Sequence, residues 1–381
     1  MTQRVVVLGA TGSIGEQTIE VAAGLGLEVS ALAARSPSAK LAALAAEHPS
    51  ARVIVAGGSS EERDDFRRWV GREVEFGADA VADAARTQGA TIVNGIVGAA
   101  GLRATVAGLE AGNRVALANK ESLVAGGPVV KQALADHGGE LIPVDSEHSA
   151  LFQCMVGEDP AGVSRLILTA SGGPFLGRSR ESLAEVTPAQ ALAHPTWDMG
   201  RRISIDSATL FNKGLEVIEA HFLFGVAYER IVVVIHPQSI LHSAVEFVDG
   251  SWKGHIGHPD MRIPIQYALT TPGRARSAVA PFDLAGRELS FEEPDRATFP
   301  ALDLAYRAGA QGGSSPAVLN AADEVAVEAF LQGRLGFLGI ADVVSSTLDL
   351  VAWRPLDSVD EVLEADREAR ETAASLIAGA C

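Results

Sequence analysis

A chain of 381 residues exceeds the usual size of one domain, so two or three are expected, and a hydrophobic share of 47% is ample for their cores. The formal net charge of -17, with no long Lys/Arg run, argues against nucleic acid or an anionic membrane as partner and leaves small molecules or proteins. Any phosphate site must then be a local concentration of donors and positive charge. The two cysteines, Cys154 and Cys381, form neither a disulfide framework nor a thiolate metal site.

Residues 1–15 lack the long apolar core and cleavage site of a secretory signal, and no apolar run reaches the roughly 18 residues of a membrane span. A soluble, cytoplasmic protein is expected. Residues 4–8 (RVVVL) predict a buried strand, 15–23 a helix, 28–33 a second strand and 37–47 a second helix. Runs at 52–55, 91–93, 114–118 and 140–144 continue the series, with helical patterns between several of them. Such alternation implies an α/β protein whose N-terminal part is a Rossmann-like, doubly wound parallel sheet.

Beyond residue 146 the texture changes. Runs at 165–170, 231–235 and 244–248 are strand-like with long Gly/Pro-punctuated connections, giving a central α+β domain. Residues 271–300 have little periodicity and read as a linker, and 301–381 are helical by period. The expected division is 1–145, 146–270, a linker over 271–300 and a C-terminal helical domain over 301–381.

The turn Gly9-Ala10-Thr11-Gly12-Ser13-Ile14-Gly15 follows a strand and opens a helix. Gly9 permits the tight turn, Gly12 lets a pyrophosphate approach the backbone, and Gly15 lets helix and strand pack closely. The alternative is an ordinary turn, since the spacing is G-x-x-G-x-x-G. The second strand ends at Ala33-Ala34-Arg35-Ser36, without the carboxylate that holds an NAD ribose. A guanidinium and a hydroxyl there suit the 2′-phosphate of NADP; a solvated arginine is the alternative.

The strand at 140–144 runs into Asp145-Ser146-Glu147-His148. Two carboxylates just past a parallel strand suit Mg2+ or Mn2+, but the same segment also reads as a helix N-cap. A helix over 204–224, capped by Asp206 and Ser207, places Phe211, Leu215, Ile218 and Phe222 on one stripe and Thr209, Asn212, Lys213 and Glu216 opposite. That face can hold a phosphate at one end and supply a metal carboxylate further on, or be simply solvated.

Ser171-Gly172-Gly173-Pro174 is a further turn with anion-binding character. His194-Pro195-Thr196-Trp197-Asp198-Met199-Gly200 reads as a loop that closes over a ligand or as a Trp anchored to the core. Lys120, just past a strand end, reaches either a substrate oxygen or a surface partner.

Taken together, these residues closely resemble the 1-deoxy-D-xylulose 5-phosphate reductoisomerase family of the non-mevalonate isoprenoid pathway. The likeness spans nearly the whole chain: GATGSIG at the start, NGIVGAAGL (94–102), LANKESL (117–123), PVDSEH (143–148), SGGPF (171–175), HPTWDMG (194–200), DSATLFNKGLEVIEA (206–220), IHPQSILHS (235–243) and LNAADEVAVEAF (319–330). The resemblance implies that Asp145, Glu147 and Glu216 bind a divalent cation, Mg2+ or Mn2+ with Co2+ a further candidate. It gives Ser171, His194, Ser207, Asn212 and Lys213 to the substrate's phosphate and nearby hydroxyls, and Lys120 and Ser146 to substrate oxygens near the metal.

The family pattern also assigns Lys120, Asp145, Glu147 and Glu216 to catalysis, with Glu147 and Glu216 facing substrate as well. NADPH would meet Thr11, Gly12, Ser13 and Ile14, with Arg35, Ser36, Asn119, Glu121 and Gly200, so that 1–145 binds the cofactor and 146–270 is catalytic, with Trp197 and Met199 in a flexible flap at about 178–201. Arg35-Ser36-Pro37 departs from the family's frequent Gly-Lys-Asn, keeping a cation but losing an amide. The implied chemistry is rearrangement of the carbon skeleton by retro-aldol cleavage and re-addition, then reduction by NADPH to 2-C-methyl-D-erythritol 4-phosphate in a homodimer.

Two other readings compete. An NADP-linked semialdehyde or homoserine-type dehydrogenase fits the N-terminal half, but the phosphorylating kind needs a nucleophilic Cys, and Cys154 lies in an apolar LFQCM run that suits a core. An NADP-sensing protein without catalysis has no use for the carboxylate pair and the Glu216 face together.

Overall fold

The computed structural model describes residues 3–197 and 199–380; Asp198 and Cys381, both met in the sequence, lie outside the described residues. The chain divides into two compact units: Met1–Ser122 with Val130–Ser149 and Asp260–Pro281, and Leu123–Val129 with Ala150–Pro259 and Phe282–Cys381.

The first unit is built on seven strands, β1 (Arg4–Leu8), β2 (Glu28–Ala34), β3 (Arg52–Val55), β4 (Glu75–Phe76), β5 (Ala90–Asn94), β6 (Arg114–Leu117) and β7 (Glu140–Pro143). They lie side by side in the order β4-β3-β2-β1-β5-β6-β7, every pair parallel. Val5 to Leu8 are wholly buried, as a strand covered on both faces requires. The doubly wound parallel sheet expected from the alternation is present. Strand order reverses at β1, so the crevice at the carboxyl ends of β1 and β5 is the ligand-binding edge of such a sheet. The first helix spans Ser13–Leu25 and stops at Gly26, whose left-handed backbone (φ 68°) returns its N–H to the Ala22 and Ala23 carbonyls.

The second unit holds β8 (Val163–Ala170), β9 (Ile231–Ile235), β10 (Leu241–Phe247) and β11 (Trp252–Ile256) in the order β11-β10-β8-β9. β8 and β9 pair parallel, and β10 runs antiparallel to both β8 and β11. Helices Ala301–Gln311, Ser315–Leu331, Gly339–Leu350 and Val359–Ala380 make the C-terminal part helical, as expected. Its core joins sheet residues Leu166, Leu168 and Val233 to Phe211, Leu215, Phe330 and Phe337. Phe337 meets the rings of Phe175 and Phe330 edge-on at 5.1 and 5.7 Å. Residues 271–300 hold no helix, and their one sheet link is the bridge of Glu292 to Ile235. Among the described residues no helix is long and apolar enough to cross a membrane.

One expected element is corrected. Residues 204–224 do not form one helix capped by Asp206 and Ser207. They belong to two helices, Arg201–Thr209 and Phe211–Phe224, and Asp206 and Ser207 lie near the end of the first. Leu210 separates them in the left-handed region (φ 67°, ψ 8°), a conformation costing a non-glycine residue roughly 1–2 kcal/mol. Its side chain is buried in the core, and burying a leucine contributes about 1.5–3 kcal/mol, enough to offset the strain.

Candidate active site

In the first unit the glycine turn follows β1 without slack. Gly9 has φ +84°, and a Cβ there would stand 2.5 Å from the Gly95 carbonyl oxygen. A Cβ on Gly15 would strike the Gly9 carbonyl and Ala10, so this glycine allows the helix to pack against the strand end. Gly12 caps the helix with no side-chain hydrogen bond, and Gly12 and Ser13 are exposed, with Thr11 and Ile14 half-buried. Such a helix start offers backbone N–H groups and a positive dipole end, the donor set a dinucleotide's pyrophosphate needs. Arg35 and Ser36 are exposed at the carboxyl end of β2, where an added phosphate can be met.

The loop after β5 is held from within. Buried Asn119 donates from Nδ2 to the carbonyls of Ile96 (2.8 Å) and Gly98 (2.9 Å) and to Glu121 Oε2 (2.8 Å). Glu121 Oε1 accepts the Gly98 N–H at 3.0 Å. The side chains of Asn119 and Glu121 thus shape the backbone beside the switch point.

At the carboxyl ends of β6 and β7 stand Lys120 and Asp145. The helix-cap reading of the acidic stretch is present in the geometry. Asp145 Oδ1 accepts the N–H groups of Glu147 (3.1 Å) and His148 (3.3 Å), capping the Ser146–Met155 helix. Its Oδ2 accepts from Lys120 Nζ at 3.0 Å, a largely buried pair with side-chain exposures of 12% and 9%. The surface partner considered for Lys120 is therefore not what is found. Ser146 Oγ lies 3.1 Å from each carboxylate oxygen of Glu147. His148, given no role from sequence, is wholly buried, with Nδ1 2.9 Å from Asp145 Oδ1. Only its i, i+3 spacing from Asp145 hinted at this.

In the second unit, Ser171 follows β8 and faces His194. His194 Nδ1 accepts the N–H groups of Thr196 (3.2 Å) and Trp197 (3.0 Å), which assigns the proton to Nε2, 3.0 Å from Ser171 Oγ. Burial holds the His194 pKa below its ordinary value, in keeping with a neutral ring. Ser171 Oγ also accepts the Gly173 N–H at 3.2 Å, so its own hydrogen remains to be donated to an anion. Gly173 (φ +69°) lets this turn approach the Arg201–Thr209 helix: a Cβ there would come within 2.7 Å of the Ser207 carbonyl. Ser207, half-buried, thus has its backbone packed against the turn that follows Ser171. Gly200 begins that helix, its carbonyl accepting the Ser204 N–H and hydroxyl, each at 3.1 Å. Half-buried Trp197 has its ring 6.4 Å from His242.

On the next helix, Asn212 Nδ2 donates to Glu216 Oε1 at 2.6 Å, and Lys213 Nζ pairs with Glu216 Oε2. Glu216 is wholly buried and Lys213 nearly so, which rules out a solvated face. Cys154 lies in the core, where burial pushes its thiol up to about 11 and removes it as a nucleophile.

Three family models match in chain order: 1-deoxy-D-xylulose 5-phosphate reductoisomerase over residues 5–127, its C-terminal domain over 141–224, and the DXP reductoisomerase C-terminal domain over 256–372. The 1-deoxy-D-xylulose 5-phosphate reductoisomerase of Ralstonia nicotianae is 50% identical over 388 residues, 99% of each chain. That of Cupriavidus metallidurans is 50% identical with 97% of each covered. Among solved structures, the Zymomonas mobilis reductoisomerase in complex with NADPH superposes with a TM-score of 0.91 at 43% identity, covering 99% of this chain and 98% of that one. A DOX-P reductoisomerase in complex with NADPH, fosmidomycin and magnesium gives 0.94 at 37%, covering 98% of each. By full-length identity, fold and motif order alike, this chain belongs to the 1-deoxy-D-xylulose 5-phosphate reductoisomerase family.

Proposed function

We propose that the chain converts 1-deoxy-D-xylulose 5-phosphate to 2-C-methyl-D-erythritol 4-phosphate, using NADPH and a divalent cation, with Asp145, Glu147 and Glu216 as the cation's carboxylates. The observation that carries this reading is the buried Lys120–Asp145 pair at the carboxyl edge of the parallel sheet, where Asp145 serves the fold with one oxygen and keeps the other beside an ammonium. Hard carboxylate oxygens suit Mg2+ or Mn2+, with Co2+ a further candidate. When bound, the cation supplies Lewis acidity toward a carbonyl oxygen and NADPH supplies hydride.

The chain's own residues bind and orient. Ser171 donates its free hydroxyl hydrogen to the substrate's phosphate, and neutral His194 fixes Ser171 in place. Ser207, Asn212 and Lys213 complete the anion's donors, and phosphate binding far from the reacting carbons orients them. Lys120 and Ser146 meet substrate oxygens near the cation, and Trp197 and Met199 exclude water over them. Thr11, Gly12, Ser13 and Ile14 hold the pyrophosphate of NADPH, Arg35 and Ser36 its 2′-phosphate, and Gly200 also meets the cofactor. Asn119 and Glu121 serve the cofactor through the loop they shape.

In this reading residues 1–145 serve the cofactor, 146–270 catalysis with the flap at 178–201, and 271–300 link them to the helices of 301–381. The protein works as a homodimer in the cytoplasm. The test follows NADPH absorbance with the deoxyxylulose phosphate and Mg2+, then adds excess chelator. Turnover is expected to stop; turnover that survives full chelation removes the metal from the mechanism, and no turnover under any condition removes the activity.

A further inference from the structure

Behind the phosphate-binding residues lies a buried cluster of charges that the reaction does not use. Arg202, on the Arg201–Thr209 helix, donates from Nη1 to Glu324 Oε1 at 2.8 Å and from Nη2 to Asn320 Oδ1 at 2.9 Å. Its guanidinium also lies 3.4 Å from Asp206 Oδ2 and 3.4 Å from Asp323 Oδ2. Asn320, Asp323 and Glu324 belong to the Ser315–Leu331 helix. From the Val359–Ala380 helix, Arg370 binds Glu324 Oε2 at 2.6 Å and Asp366 Oδ2 at 2.6 Å. Asp206, Asp323, Glu324 and Asp366 thus face the two guanidinium groups of Arg202 and Arg370.

Asp323 is wholly buried and Asp206 nearly so, and Asp323 Oδ1 meets no donor among the described residues. A buried carboxylate oxygen without a donor is costly, and two adjacent carboxylates cannot both ionise cheaply. A proton between them removes both difficulties, because a protonated carboxyl donates. In keeping with this, burial and then the neighbouring charge of Asp206 push the Asp323 carboxyl well above the usual carboxylate range.

We propose that Asp206 and Asp323 share one proton, and that this uncharged-to-charged acid pair fastens the Arg201–Thr209 helix to the Ser315–Leu331 helix, so positioning Ser207 for the substrate's phosphate. The second half rests on the phosphate reading of Ser207 given above. Asp323 acts here as a positioning residue, through Asp206 and the helix that carries both Asp206 and Ser207.

The proton is tested on the substrate-free full chain. Above about pH 4 an unfolded Asp is ionised, while folded Asp323 keeps its proton, so the native state binds more protons and stability falls as pH rises. Asp323→Asn keeps a donor and removes the titration. Between pH 5 and 8 the parent's unfolding temperature should therefore fall relative to that of Asp323→Asn. A difference that stays constant across this range overturns the shared proton.

The positioning role is read in kinetics. Asp323→Asn should keep KM for the deoxyxylulose phosphate within about twofold, while Asp323→Ala, which removes the hydrogen bond between the two helices' acids, raises it about tenfold with less change in kcat. If Ser207→Ala raises KM and Asp323→Ala does not, the positioning role is overturned. If Ser207→Ala leaves KM unchanged, the phosphate reading fails instead, and the pH comparison still decides the proton. Should Asp323→Ala not fold, Asp206→Ala is read in its place, and a KM unchanged there while Ser207→Ala raises it overturns the positioning role.

Discussion

Glu216 is held by Asn212 and Lys213 in a place without solvent, and this makes its substitution informative in two ways. Glu216→Gln keeps the shape and an acceptor oxygen but removes the charge that faces Lys213 and any cation. The rate of NADPH oxidation should fall about a hundredfold or more, in the range seen when one electrostatic contact to the reacting atoms is lost. Stability should fall by roughly 1–3 kcal/mol, because a buried ammonium loses its counter-charge. A variant with the parent's rate would take Glu216 out of the site. Arg35 poses a different question, being exposed and separate from the chemistry. Arg35→Ala should raise KM for NADPH more than for NADH, and an equal effect on both would refute a 2′-phosphate role.

Two turns of the second unit depend on backbone and protonation rather than on a single contact. Gly173→Ala asks for a left-handed alanine, at roughly 1–2 kcal/mol, and for a Cβ only 2.7 Å from the Ser207 carbonyl. The Ser171 turn must then draw away from the Arg201–Thr209 helix, so KM for the phosphorylated substrate should rise at least about tenfold, as the loss of one good anion contact predicts. An unchanged KM would separate that turn from phosphate binding. His194 accepts two backbone N–H groups at Nδ1 and so must be neutral to hold the loop. Its folded pKa is depressed by burial, so the unfolded chain binds the extra proton first. The stability it contributes is present above its unfolded value of about 6.5 and is lost as pH falls through that value toward the folded one. Denaturant midpoints at pH 7.5 and 5.5 should therefore drop further for the parent than for His194→Gln; equal drops would show that this ring does not govern the loop.

The same elements show what the sequence made legible. β1, β5 and β9 are β-branched runs between turn signals, and they stand where periodicity places them. The two-residue β4 and the polar β11, which reads Trp-Lys-Gly-His-Ile, carry no such pattern and are not legible in the sequence. The break at Leu210 has no local signal either, since leucine seldom adopts a positive φ and does so here because tertiary packing holds it. At the site, the carboxylates, the glycines and the Asn212-Lys213 pair were readable because each motif is contiguous. The double duty of Asp145, the tautomer of His194 and the partnership of Asp206 with Asp323 were not, because each depends on groups that only the fold brings together.

For the whole molecule, the decisive coupling is between ligand binding and stability. Asp145, Glu147 and Glu216 are part of the chain's net charge of -17, and a cation bound at them would offset some of it. An ion that binds the folded chain alone adds about 2.7 kcal/mol to stability at one hundred times its dissociation constant. In a chain of this size that corresponds to an unfolding temperature a few degrees higher. Because the chain holds two compact units, unfolding need not be a single transition, and the comparison is read on whichever transition the cation moves. Calorimetry in saturating Mg2+ and in excess chelator should show this rise for the parent. Asp145→Asn is the control of choice: asparagine still caps the Ser146–Met155 helix, so the helix is kept while the charge beside Lys120 is lost. The variant should lose most of the Mg2+-dependent rise, whereas an equal rise in both proteins would place the cation elsewhere on this acidic chain.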